Sequence, residues 1–394
     1  MSSRVNANKT IYLDYAATTP IDAEVAEAIS TCFTERAKYG NASSNHVRAR
    51  RARVAIDAAR CELGLILNAR PQDLIWTSGA TESDNLAIAG AARFRAHRGR
   101  HLITMTTEHK AVLESFDELE KNGFEVTRLS PDADGILALS DLSDAIREDT
   151  QLVSIMHVNN ETGVIQDIAA IGTICHERDV LFHTDAAQSV GKVPIDLAAL
   201  PVDLLSLTAH KFRGPQGIGA LYIAARAGCG VVPLFHGGGQ ERRLRPGTSP
   251  LHQIIGIGVA ARRARENLSD NLAHVTAMNE RLWRGLELLA GITRNGSVDS
   301  RYPGILNVSA EGVEGESLML ALEPLCVASG SACNAQSSEP SFVLKALGRT
   351  DLQAQSAIRF SLGHETTESD VDAAVELYRA AVTHLRAIAP ERVA

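Results

Sequence analysis

Between residues 74 and 224 short runs of β-branched and apolar residues alternate with stretches whose apolar positions recur at helical spacing. Segments 74–78, 101–106, 124–129, 152–158, 180–183 and 204–208 read as strands, most of them apolar on both faces. Segments 82–94, 109–122, 140–147 and 168–177 read as the helices between them. Strands alternating with helices predict right-handed βαβ units and a mostly parallel sheet covered on both sides. Segment 219–223 is joined to 204–208 across Gly214-Pro215-Gln216-Gly217, too short a connection for a crossover, and predicts an antiparallel addition.

Beyond residue 250 the texture changes. A helical stretch at 253–290 leads to a strand at 305–309, a helix at 316–322, a strand at 358–362 and an amphipathic helix at 368–387. The pattern predicts an α/β fold in three parts. Residues 1–20 form an arm against the smaller unit, 21–255 a large α/β domain, and 256–394 a small α+β domain. In open parallel sheets ligands collect beyond the carboxyl ends of the strands, so chemistry is sought there.

Composition narrows the classes without choosing among enzymes. In 394 residues, 45% are hydrophobic, 22% charged, and the net charge is −8. A disordered chain has fewer apolar residues, and a nucleic-acid binder needs a basic surface. No apolar run reaches the length of a membrane span. The opening residues lack the apolar stretch of a secretory signal, so the expectation is a cytoplasmic protein. Six scattered cysteines make neither a disulfide framework nor a metal motif.

Four segments carry chemistry. Thr77-Ser-Gly-Ala-Thr-Glu-Ser-Asp-Asn85 joins a strand to a helix, and a glycine turn there offers free N–H groups to a phosphate. It also suits simple capping by Ser78 or Thr81. In Leu181-Phe-His-Thr-Asp-Ala-Ala-Gln188 an Asp closes an apolar strand, either as a helix cap or as an anion facing a cationic ring nitrogen. His210-Lys211 follows the 204–208 strand, where a lysine in a cleft is a Schiff-base candidate rather than a solvated surface group. Together the phosphate-type turn, Asp185 and Lys211 describe a site for pyridoxal 5'-phosphate. Finally, Cys333 stands in Val327-Ala-Ser-Gly-Ser-Ala-Cys-Asn-Ala-Gln-Ser-Ser-Glu-Pro-Ser341, a polar stretch that predicts an exposed, mobile thiol.

With these segments placed, the chain resembles the cysteine desulfurases of the NifS/IscS type, within the class V aminotransferases of PLP fold type I. The resemblance runs from Ile11-Tyr-Leu-Asp-Tyr-Ala-Ala-Thr-Thr-Pro20 through Thr107-Glu-His-Lys110, His157-Val-Asn-Asn-Glu-Thr-Gly163, His236-Gly-Gly-Gly-Gln-Glu-Arg242, Arg245-Pro-Gly-Thr248 and Ile358-Arg-Phe-Ser-Leu362. The long stretch after Cys333 is similar to the subgroup that includes IscS. Thr208-Ala209 and Asn334-Ala335 depart from that subgroup's usual pairs, and Tyr39-Gly-Asn-Ala-Ser-Ser-Asn-His46 lacks its proline.

The resemblance implies the fold type I architecture, a seven-stranded-type sheet, and these roles. Lys211 bonds the cofactor and moves the α-proton, and His109 stacks on the ring. Asp185 keeps the ring nitrogen protonated; an ion pair at roughly 4 Å and an effective dielectric near 20 is worth about 4 kcal/mol, about three pK units. Gln188 binds the phenolic oxygen. Ala80, Thr81, Thr208 and His210 hold the phosphate, with Thr248 from the second subunit of a homodimer. Asn160 and Arg359 place L-cysteine. Cys333 takes its sulfur as a persulfide, leaving alanine, and delivers it to an acceptor protein. Iron–sulfur assembly, tRNA thiolation, molybdenum-cofactor synthesis and DNA phosphorothioation all fit as destinations. A selenocysteine lyase or other class V β-lyase is the alternative activity. No metal, membrane or direct nucleic-acid partner is expected.

Overall fold

The computed structural model describes residues 10–35, 38–329 and 339–389. After β1 (Ile11–Tyr12) come α1 (Ala23–Thr34), α2 (Val47–Leu67), β2 (Leu74–Thr77), α3 (Ala80–Phe94), β3 (His101–Met105), α4 (Lys110–Lys121) and β4 (Glu125–Leu129). Next are α5 (Leu139–Ala145), β5 (Thr150–Ser154), α6 (Ile168–Glu177), β6 (Leu181–Asp185), β7 (Leu204–Thr208) and β8 (Gly219–Ile223). Strands β2 to β8 form one seven-stranded sheet in the order β2-β8-β7-β6-β5-β3-β4. Every neighbouring pair is parallel except the two made by β8, which lies antiparallel between β7 and β2.

Both faces of this sheet are buried, and successive residues show it. Leu152, Leu181 and Leu204 pack with Leu86, Ile88 and Phe116 of α3 and α4. Their neighbours Val153, Phe182 and Leu205 pack on the opposite face with Leu63 of α2 and Ile171 of α6. Each such side chain contributes about 1.5–3 kcal/mol when withdrawn from water.

The helical stretch expected at 253–290 is two helices, α7 (Leu251–Glu266) and α8 (Leu268–Leu286). The break is Asn267, whose side-chain Nδ2 donates to the Arg263 carbonyl and competes with the helix ladder. Ile254, Ile257, Ala260 and Ala261 of α7 belong to the core of the large sheet, so the division expected at 255 falls inside a helix of that core. Met278, Leu282 and Leu286 of α8 belong to a second core.

That second core covers a four-stranded antiparallel sheet, β12-β13-β10-β9. Its elements are β9 (Ile292–Arg294), β10 (Ile305–Ala310), α9 (Gly315–Ala321), β11 (Leu325–Cys326), β12 (Ala328–Ser329), α10 (Phe342–Ala346), α11 (Asp351–Gln355), β13 (Ile358–Ser361) and α12 (Glu368–Ile388). The N-terminal segment returns to it: β1 pairs in parallel with β11, and Asp14 bridges to Ser361.

Two further differences have local causes. The strand expected at 152–158 ends at Ser154, after which the amides of Ile155 and His157 still bond to the carbonyls of His183 and Asp185. Helix α2 escaped the periodicity reading because its buried stripe mixes the small Ala49, Ala52, Ala59 and Gly64 with Ile56, Leu63 and Leu67. Small residues suit that face, since a Cβ at Gly258 of α7 would lie 2.6 Å from the Ala59 Cβ.

Among the described residues no helix is long and apolar enough to cross a membrane, and no group of His, Cys, Asp or Glu side chains is placed to hold a metal ion.

Gly219 shows how tightly β8 carries the turn before α3. A Cβ there would lie 2.3 Å from the Leu207 carbonyl oxygen and 2.8 Å from the Gly79 Cα. Gly219→Ala is expected to cost about 1–3 kcal/mol by forcing the backbone apart. Thermal denaturation measures it, and an unchanged melting temperature would refute the close contact.

Candidate functional site

At the carboxyl end of the large sheet lies a cavity of about 690 Å³. Several of its walls are set by where a strand of that sheet stops.

Beyond β2 the chain turns at Gly79 into α3, and Gly79 caps the helix without a side-chain hydrogen bond. Neither Ser78 nor Thr81 acts as the cap. The Ser78 amide instead donates to Glu82 Oε2 at 2.7 Å, and Arg245 Nε holds Glu82 Oε1 at 2.9 Å. Ala80 and Thr81 line the cavity, so this helix end directs amide donors and the positive end of its dipole there.

Asp185 is the last residue of β6, is buried, and accepts the Ala187 amide on Oδ1 at 2.8 Å. Burial raises its pKa; His109, the Ala187 N–H and Lys211 pull it back down. Two neighbouring carboxyls are pushed harder. Burial and then the charge of Asp185 hold Asp84 well above the usual range, and burial does the same to Glu108.

The end of β7 supplies Thr208, and the turn Ala209–Lys211 supplies His210 and Lys211. Lys211 Nζ donates to the Ala16 carbonyl of the N-terminal segment. His210 Nδ1 lies 3.2 Å from Thr18 Oγ1, and burial followed by the charges of Lys211 and Lys192 lowers its pKa to about 4. Gln188 is buried, donates from Nε2 to the Ala16 carbonyl at 2.8 Å and accepts on Oε1 from Lys192 at 2.7 Å.

His109 faces the cavity while its Nδ1 accepts the Ala111 amide at 3.1 Å, making it the N-cap of α4. His109 is thus both a helix cap and a residue of the cavity wall. Taking a proton at Nδ1 would break the cap.

Asn159 Oδ1 accepts the amides of Glu161 and Thr162, both at 2.9 Å, and this turn carries Asn160 into the cavity wall. The Asn160 carbonyl accepts from Arg359 Nη1 at 2.9 Å. Arg359, on β13, is only 2% exposed, which rules out a surface strand end. Its Nη2 pairs with Asp14 at 2.6 Å, so the small sheet and the N-terminal segment jointly close the cavity. Sequence reasoning assigned no role to Asp14, Ala16, Glu82 or Lys192. For Lys192 the available signal was its position four residues after Gln188.

Thr248 is exposed and does not line the cavity of its own chain. Cys333 lies outside the described residues. No described cysteine lines the cavity.

The residues present fit pyridoxal phosphate. An uncapped helix end suits its phosphate, and Lys211 suits its aldehyde. Asp185, kept from water and with a raised proton affinity, calls for a protonated ring nitrogen from the cavity side.

The comparisons agree. The model of the aminotransferase class-V family matches residues 11–374. A cysteine desulfurase IscS of Colwellia psychrerythraea is 52% identical over 381 residues, 96% of this chain and 94% of that protein. The IscS of Klebsiella pneumoniae is 51% identical over the same shares. Among solved structures, one titled NifS-like protein superposes with a TM-score of 0.88 at 36% identity, covering 95% of this chain and 100% of that one. Another, titled SspA in complex with cysteine, has a TM-score of 0.80 at 39% identity, covering 91% of this chain and 100% of that one.

The turn that carries Asn160 also yields a pH prediction. His157, just before it, is buried with Nδ1 unpartnered, and burial lowers its pKa from 6.5 to about 4. A histidine held neutral stabilises the fold above its unfolded pKa, and the contribution is lost as pH falls through the folded value. The stability difference between the natural protein and His157→Asn should therefore shrink by about 3 kcal/mol between neutral pH and pH 4. Urea denaturation across that range measures it; a difference independent of pH would contradict the assignment.

Proposed function

The chain belongs to the class-V aminotransferase family, and we propose that it is a pyridoxal-phosphate-dependent cysteine desulfurase, taking L-cysteine to L-alanine with the sulfur kept as a persulfide on Cys333. The observation that carries this reading is the convergence of an uncapped helix end, the buried Asp185 and Lys211 on one cavity.

When bound, the cofactor supplies an electron sink next to the substrate's α-carbon. The chain does the rest. Amides at Ala80 and Thr81, with Thr208 and the neutral His210, hold the phosphate by donating to it. Asp185 retains the proton on the ring nitrogen, and Gln188 donates to the phenolic oxygen. Arg359 grips the substrate carboxylate, since a guanidinium fork donates two parallel bonds to such a group. Lys211 takes the proton from the α-carbon and returns one to the carbon skeleton.

Cys333 attacks the substrate sulfur as a thiolate. An S–S bond forms, the Cβ–S bond breaks, and its electron pair stays on carbon, which takes a proton to become the methyl group of alanine. Five of the six cysteines are described, and none of the five is in the cavity wall. Burial pushes the Cys229 thiol up to about 12 and Cys175 higher still, the reverse of what a nucleophile needs. Elimination thus supports Cys333. The persulfide passes to a thiol of an acceptor protein. Thr248, exposed on its own chain, contributes to the second subunit's phosphate site in a homodimer. A reducing cytoplasm suits the unpaired described cysteines.

Cys333→Ser is expected to keep the bound cofactor and its visible absorbance but to release no sulfide from cysteine. Sulfide release at the natural rate would remove Cys333 from the mechanism. Lys211→Ala should leave no cofactor attached to protein after borohydride reduction, as read by mass spectrometry. A retained adduct would place the covalent link elsewhere.

A further inference from the structure

We propose that Lys192 is a positioning residue that locks the carboxamide of Gln188 so that an N–H, not an oxygen, faces the cofactor cavity. The proposal rests on the reading above that Gln188 meets the cofactor's phenolic oxygen.

An amide side chain has two orientations of similar shape, and its hydrogen-bond partners decide between them. The Ala16 carbonyl can only accept, so the Gln188 group 2.8 Å away is Nε2. That leaves Oε1 for Lys192, whose Nζ lies 2.7 Å off and donates. One Nε2 hydrogen is spent on Ala16. The second is left for the cavity, which Gln188 lines. The flipped amide would set acceptor against acceptor at Ala16 and donor against donor at Lys192; without Lys192 only the Ala16 contact opposes the flip, and Oε1 loses its donor.

Lys192 has no other polar assignment among the described residues. It forms no ion pair there; its ammonium lies 5.7 Å from the centre of the Tyr302 ring. Burial, then the charges of Lys211 and Arg359, lowers its pKa well below the usual lysine value. A side chain kept at that electrostatic disadvantage, four residues along the same turn from Gln188, is placed to donate in either charge state.

A double-mutant cycle on the holoenzyme tests this. Lys192→Met is expected to weaken pyridoxal-phosphate binding about tenfold, the scale of one buried hydrogen bond, and to move the pH midpoint of the bound cofactor's visible band. In a Gln188→Ala background the same substitution should change affinity less than twofold and leave the midpoint in place. Lys192→Arg, which retains a donor, should restore most of the affinity and the natural midpoint. Equal effects in both backgrounds would show that Lys192 acts through its charge or its packing and would overturn the proposal, as would natural affinity and midpoint in Lys192→Met. If Lys192→Met does not fold, Lys192→Leu, which also lacks a donor, decides in both backgrounds by the same criteria. Failure of the natural protein itself to gain a visible band would instead overturn the cofactor reading.

Discussion

A carboxyl group withheld from water at the end of β6 is the constraint around which this molecule is organised. Burial raises the proton affinity of Asp185 and of its neighbours Asp84 and Glu108, and at Asp185 the charges of His109 and Lys211 and the Ala187 N–H oppose that rise. A buried carboxylate is stable only if a cation or a strong donor meets it. The packed sheet lies behind it, and the cavity lies in front. In the proposed role, a protonated ring nitrogen arriving from that side would satisfy the group, and the same charge would make the ring a better acceptor of electrons. On that reading, stability of the holo form and catalysis depend on one interaction.

The cavity has walls because the N-terminal segment crosses from one sheet to the other. Ala16 receives both Lys211 and Gln188 on its carbonyl, while its amide donates to Ser361 Oγ at 2.9 Å. Asp14, two residues earlier, pairs with Arg359. A short stretch of backbone therefore connects Lys211, Gln188 and Arg359, the residues proposed to bond the cofactor, meet its phenolic oxygen and hold the substrate. Few side chains of this segment are reactive. Its contribution is to orient side chains that are.

Much of this was legible beforehand, for identifiable reasons. Strands of the large sheet are apolar on both faces and separated by amphipathic helices, so alternation of the two periods revealed the parallel architecture. Strand ends bearing Asp185, Thr208 and Lys211 were recognisable because polar residues abruptly follow apolar runs there. Other features left no such trace. The buried stripe of α2 mixes small residues with large ones, which weakens it as a hydrophobic period. The break at Asn267 depends on one side chain turning back to a carbonyl, which competes locally with the helix. Without the fold, Arg359 reads first as a surface end of its strand, and only burial decides otherwise.

Local order, in short, was written along the chain, because periodicity and the chemistry of strand ends depend on residues close in sequence. Which way the Gln188 amide points and what partners Arg359 are settled by groups far apart in sequence: Ala16 and Asp14. Hydrogen-bond direction and proton affinity depend on distances and on the exclusion of water, and those quantities come into being only when the two sheets close on one another.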